Sequence, residues 1–167
     1  MKAARRAALF ALAGVGMLSA CTALVPVGSD SVGSARIVEQ NFAESATVAQ
    51  IFHVAAIDGV PVESSLEATR RATAGASGLT VMPFERRIPA RRVRLTLVAT
   101  RLAATAVDEQ AMRAAGRLWR VQGDVIFEPT AGGDYFIAGE LKPAGSSVWI
   151  AALRTGQRVS EVVSERR

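Results

Sequence analysis

Very little in this chain can cross-link, ligate or stack. Its 167 residues hold one cysteine (Cys21), one histidine (His53) and one tyrosine (Tyr135). A single cysteine makes no intrachain disulfide, so whatever folds here rests on its core alone. A histidine with no second histidine or free cysteine to join it excludes the usual zinc ligand sets. The acidic residues are scattered, and the neighbours Asp108 and Glu109 read as a solvated pair rather than a metal site. No glycine-rich loop follows a strand and opens a helix, so no nucleotide cradle and no cofactor is indicated. The nearest approach to a nucleophile elbow, Gly75-Ala76-Ser77-Gly78-Leu79, has leucine where the last glycine must stand. Aromatic residues make up 5% of the chain, and none interleaves the arginines of its basic segment, which argues against nucleic acid as a partner. No apolar run reaches 18 residues, so no stretch reads as a membrane-spanning helix.

What is present begins at the N-terminus. Lys2, Arg5 and Arg6 precede an uncharged, mostly apolar stretch from Ala7 to Ala20, the build of a secretory signal peptide. The small residues Ser19 and Ala20 suit a peptidase whose cleft admits only short side chains, and Cys21 comes directly after them. Leu18-Ser19-Ala20-Cys21 resembles the lipobox of bacterial lipoproteins, which has an aliphatic residue, two small residues and cysteine. The resemblance implies a diacylglyceryl thioether on the Cys21 thiol. It also implies cleavage before Cys21, with Leu18, Ser19 and Ala20 recognised by the peptidase, and acylation of the freed amine. Each buried methylene contributes about 0.8 kcal/mol, and two or more acyl chains hold a protein stably on a bilayer. Thr22 stands where aspartate would retain a Gram-negative lipoprotein at the inner membrane. The resemblance therefore implies the outer membrane, facing the periplasm.

The expected organisation is a signal peptide at 1–20, a lipidated cysteine and tether at 21–45, and one folded domain at 46–167. Residues 22–35, TALVPVGSDSVGSA, show no sustained period and read as a tether. Losing residues 1–20 leaves 147, enough to bury about 70% of the unfolded surface without a staple. Lys2, Arg5 and Arg6 leave with the signal, which takes the formal charge from +5 to +2.

The domain reads as all-β. TVAQIFHVAAI leads into Asp58-Gly59, a turn pair that tolerates positive φ, and Pro61 confines the outgoing Val60-Pro61-Val62 to an edge or a loop. Ser64 to Glu67 has the capping-box spacing of a short helix over 64–73. In RRVRLTLVATRL, Val93, Leu95, Leu97 and Ala99 share one face, with Arg92, Arg94, Thr96 and Val98 on the other. Residues 103–116 suit either a helix or a loop. RLWRVQGDVIF places Trp119, Val121, Val125 and Phe127 together, with Gly123 as a bulge. GDYFIAGEL, SVWIAAL and RVSEVV supply the last strands, separated by turn signals. About seven strands at this spacing give a β-sandwich.

Gly133-Asp134-Tyr135-Phe136-Ile137 resembles the tyrosine corner of immunoglobulin-like domains, where a tyrosine hydroxyl bonds back to upstream backbone. A half-buried tyrosine after a glycine turn fits the same residues. Ile57-Asp58-Gly59, the basic edge before Val93, Gly133 to Tyr135, and Val148-Trp149-Ile150 with Thr155-Gly156 are together similar to small envelope lipoproteins with a sandwich domain. That resemblance implies an immunoglobulin/transthyretin-like sandwich and brings no catalytic residues with it.

The one concentrated chemical feature is ERRIPARRVRL, with Arg86, Arg87, Arg91, Arg92 and Arg94. By the strand period Arg92 and Arg94 lie about 7 Å apart on one face. Such a row grips phosphates or carboxylates, which in an envelope belong to lipids, an anionic polymer or an acidic protein. It equally serves as a soluble, aggregation-resistant edge. Ser-His-Asp chemistry drawn from His53, Asp58 and Ser64 or Ser65 has no local motif behind it. The expected function is a lipid-anchored binding or scaffolding module rather than an enzyme. The rivals are an accessory subunit of a secretion or envelope-assembly machine and a periplasmic hydrolase.

Overall fold

The computed structural model describes residues 33–166. Ten strands and two helices succeed one another as β1 (Ser34–Glu39), β2 (Asn41–Ala43), β3 (Val48–Ile57), β4 (Val60–Pro61), α1 (Ser65–Thr73), β5 (Phe84–Pro89), β6 (Val93–Ala103), α2 (Ala106–Ala114), β7 (Arg120–Phe127), β8 (Asp134–Lys142), β9 (Gly145–Ala152) and β10 (Val163–Arg166). They form an all-β sandwich of two five-stranded sheets. The first runs β10-β9-β8-β1-β5; the second runs β2-β3-β6-β7, with β4 also on β3. Seven strands have six residues or more, which meets the expected number but not strand for strand: β1 falls within the expected tether, and the expected last strand is the short β10.

Alternation builds the interior. Val93, Leu95, Leu97 and Ala99 of β6 face inward and meet Ile37, Phe52, Val54, Val121, Val125, Ile137 and Ile150 in one cluster. Each such aliphatic side chain gains roughly 1.5–3 kcal/mol on full burial. A smaller cluster lies on the outer face of the second sheet. There Ala49, Ile51 and Leu102 are covered by Leu66 of α1 and by Leu79 and Val81. That cover explains why β3 reads apolar on both faces.

The domain starts earlier than its composition suggests. The tether expected at 21–45 contains Ser34–Glu39, yet this segment is a central strand, hydrogen-bonded to β5 on one side and parallel to β8 on the other. Ala35 and Ile37 point into the core, and their two-residue period is too short to stand out beside glycine and serine. After β1 the chain crosses to the second sheet as β2.

Local expectations are partly met. Asp58 (φ 50°) and Gly59 (φ 82°) make the tight turn from β3 to β4. The 64–73 segment forms α1, and 106–114 is helical, capped by the Thr105 hydroxyl accepting from the Asp108 N–H at 3.1 Å. The Tyr135 hydroxyl accepts the Thr130 N–H at 3.0 Å, as a tyrosine corner requires, and its ring stands edge-on to Phe127 at 5.0 Å. Gly123 is no bulge, because β6 and β7 pair in unbroken register through it. Its role is clearance: a Cβ there would lie 2.7 Å from a methyl of Val163 in β10. The last strand begins at Val163, later than RVSEVV implies. Residues 158–160 instead run beside β9 through an isolated bridge from Arg158 to Ala151.

Candidate functional site

The structure divides the arginine segment between two sheets. Arg86 and Arg87 belong to β5, an edge strand of the first sheet; Arg91 and Arg92 lie in the turn after it; Arg94 is the second residue of β6. The expected row on one strand therefore does not exist, because β6 starts only at Val93. The edge position expected for the basic segment is borne out for β5.

Arg86 points inward. Its guanidinium donates to Glu39 Oε1 at 2.9 Å and to the Glu63 carbonyl, and it lies 4.9 Å from the Phe84 ring centroid. Glu39 is the centre of this node. It is the last inward residue of β1, and its side chain is fully buried. Oε1 also accepts the Val54 N–H at 3.2 Å, filling the gap on the β3 edge between β2 and β4. Oε2 accepts the Ser65 N–H at 2.7 Å, the first amide of α1. A carboxylate at a helix N-terminus satisfies an orphan donor and complements the dipole. Burial nevertheless pushes the Glu39 carboxyl above its ordinary range, outweighing the Ser65 and Val54 amides and Arg86. The capping box at Ser64 is thus altered: the Ser64 hydroxyl donates to the Glu67 carboxylate and accepts no helix amide.

The other arginines face outward. Arg87 donates to the Ser34 hydroxyl at 3.1 Å. Arg91 pairs with Asp58 Oδ2 at 2.9 Å, while Asp58 Oδ1 accepts the Arg94 N–H at 2.9 Å. The Arg94 amide and the Arg91 guanidinium hold the Asp58 carboxyl below the usual range. Arg92 and Arg94 are exposed, and neither guanidinium makes a hydrogen bond or close ion pair among the described residues. With Asp58, Val93 and Ile126 they line a groove of about 320 Å³.

His53 lies on the outer face of β3, opposite Val98 of β6, and is 3% exposed. Neither ring nitrogen has a hydrogen-bond partner. Burial pushes its pKa down to about 4 against the pull of Glu67, so the ring is neutral at pH 7. Asp58 is engaged by Arg91 and the Arg94 amide, Ser64 by Glu67, and the Ser65 hydroxyl by Asn41. The Ser-His-Asp arrangement drawn from the sequence is not assembled. Asp108 and Glu109 occupy the first turn of α2, where Glu109 pairs with Arg113 at 2.7 Å.

A cleft of about 400 Å³ lies between the end of α1 and the start of α2, with Leu79 and Leu102 in its lining. Sequence reasoning missed both this cleft and Glu39. The only trace of Glu39 was a carboxylate in an inward position of Ala35-Ile37-Glu39. Leu18, Ser19, Ala20 and Cys21 lie outside the described residues. No family model matches the chain, and no curated protein or solved structure matches it significantly.

Proposed function

We propose that this chain is a lipid-anchored cell-envelope protein, held by acyl chains on Cys21 at the periplasmic face of the outer membrane. Its sandwich acts as a binding or scaffolding module without catalysis of its own. One observation carries the reading: Lys2, Arg5 and Arg6, an uncharged apolar run, and Leu18-Ser19-Ala20-Cys21 stand in the order that export and lipidation demand. An anchor at Cys21 is compatible with the fold, whose first described strand starts at Ser34. The hydrolase rival lacks its base, since the ring nitrogens of His53 bond to none of the serines or carboxylates it would need.

Metabolic labelling with a palmitate analogue and subsequent fractionation test the anchor. Wild-type protein should carry label and sediment with membranes, and Cys21→Ser should lose both. Retention of label and membrane association by the variant would contradict the reading.

A further inference from the structure

The end of the sandwich from which the chain leads back to Cys21 gathers a cluster of exposed arginines. Gly33 accepts the Ala90 N–H at 2.6 Å, and Ser34 pairs with Pro89, so the N-terminal end of the domain sits beside the 90–92 turn. The same end carries the Asp58-Gly59 turn, since the Asp58 N–H donates to the Arg94 carbonyl at 2.8 Å. It also carries the end of β7, where Ile126 stands opposite Arg94. Arg87, Arg91, Arg92, Arg94 and the exposed Arg154 gather here against Asp58, Asp134 and Glu128, and Asp58 and Asp134 are each already paired with an arginine. Two large apolar side chains project from this end as well, Ile126 at 47% exposure and Val60 at 64%. At the opposite pole the pairs Glu44–Arg101, Glu109–Arg113 and Glu140–Lys142 join opposite charges, and Arg117 and Arg120 are exposed there as well.

Unpaired arginines flanked by exposed aliphatic side chains suit a bilayer interface. Guanidinium groups bind lipid phosphates, while short apolar side chains enter the headgroup boundary. We infer that this end, centred on Arg92, Arg94 and Ile126, lies on the anionic headgroups of the membrane that holds the anchor. The inference rests on the anchored reading of Cys21. The twelve residues from Thr22 to Gly33 keep this end within about 40 Å of the bilayer even when fully extended. Contact is then intramolecular, and a weak surface affinity suffices. Each arginine near an anionic surface contributes about five-fold in partitioning, so removing two lowers docking by roughly 10- to 30-fold.

The test uses natively purified, lipidated full-length protein in vesicles of phosphatidylethanolamine with phosphatidylglycerol. Once Cys21 is a thioether, a single introduced cysteine takes a polarity-sensitive dye. Ile126→Cys reports on the arginine end, and Ala144→Cys, in the turn between β8 and β9, reports on the opposite pole. The dye at position 126 should shift to the blue and be quenched by a headgroup-bound nitroxide, and the dye at 144 should not. Arg92→Ser with Arg94→Ser, or about 0.5 M salt, should abolish the response at 126, while the variant still floats with the vesicles. Equal responses at the two positions, or a response at 126 untouched by the arginine substitutions, would overturn the docked orientation and leave the anchor standing. So would a response at 126 that soluble polyanion produces and vesicles do not. Protein that fails to float at all would overturn the anchor and the orientation together.

Discussion

Arg86 and Arg94 belong to one basic segment, yet the fold gives them opposite surroundings. Arg86 points into the sheet-crossing corner, where its side chain is 11% exposed and bound to a fully buried carboxylate. Arg94 stands on an open face with no bonded partner for its guanidinium among the described residues. What separates them is the turn at 90–92, which carries the chain from the first sheet to the second. A run of like charges is therefore a poor unit of function. Topology assigns one arginine to architecture and leaves another free to meet a partner.

The contrast breaks hardest at Glu39. Glu39→Ala leaves Arg86 buried without its charge partner and the Val54 and Ser65 amides without an acceptor. It should cost about 3–5 kcal/mol in urea unfolding, and a loss below about 1 kcal/mol would remove the node from its structural role. Next comes His53. Its folded-state pKa of about 4 lies below the unfolded value of 6.5. The unfolded chain therefore binds more protons between these values, and stability is lost as pH falls through that window. The loss attributable to His53 reaches about 3 kcal/mol at pH 4. In His53→Leu that share of the acid sensitivity should vanish, and identical pH profiles of the two proteins would refute it.

Tyr135→Phe removes the acceptor of the Thr130 amide and should cost about 1 kcal/mol in the same assay. The smallest change belongs to the free arginines. Arg92→Ser with Arg94→Ser should alter stability by no more than about 0.5 kcal/mol. A large loss there would place these residues with Arg86 in the architecture.

Much of the sandwich was legible because half-buried strands write their two-residue period directly into the sequence. RLTLVAT shows it in β6, and GDYFIAGEL shows it in β8. Asp58-Gly59 and Tyr135 were legible because each answers a local rule about turns. What escaped depends on distant partners. β1 is short and preceded by glycine and serine, and only its position between β5 and β8 reveals it as central. Glu39 is legible only once α1, β3 and β5 converge on it, from 15 to 47 residues away. Gly123 signalled an irregularity, but its cause is a methyl group of β10, forty residues on. The arginines were correctly found as a concentration of charge. Their division into bound and free required the sheet crossing.

The anchor is the premise on which the orientation of the whole molecule depends. Intact-mass spectrometry of natively purified protein tests it most directly. The expected result is a chain beginning at Cys21 with the added mass of a diacylglyceryl group, with or without a further acyl chain on the amine. A chain that begins at Met1, or one with an unmodified thiol at position 21, would contradict it.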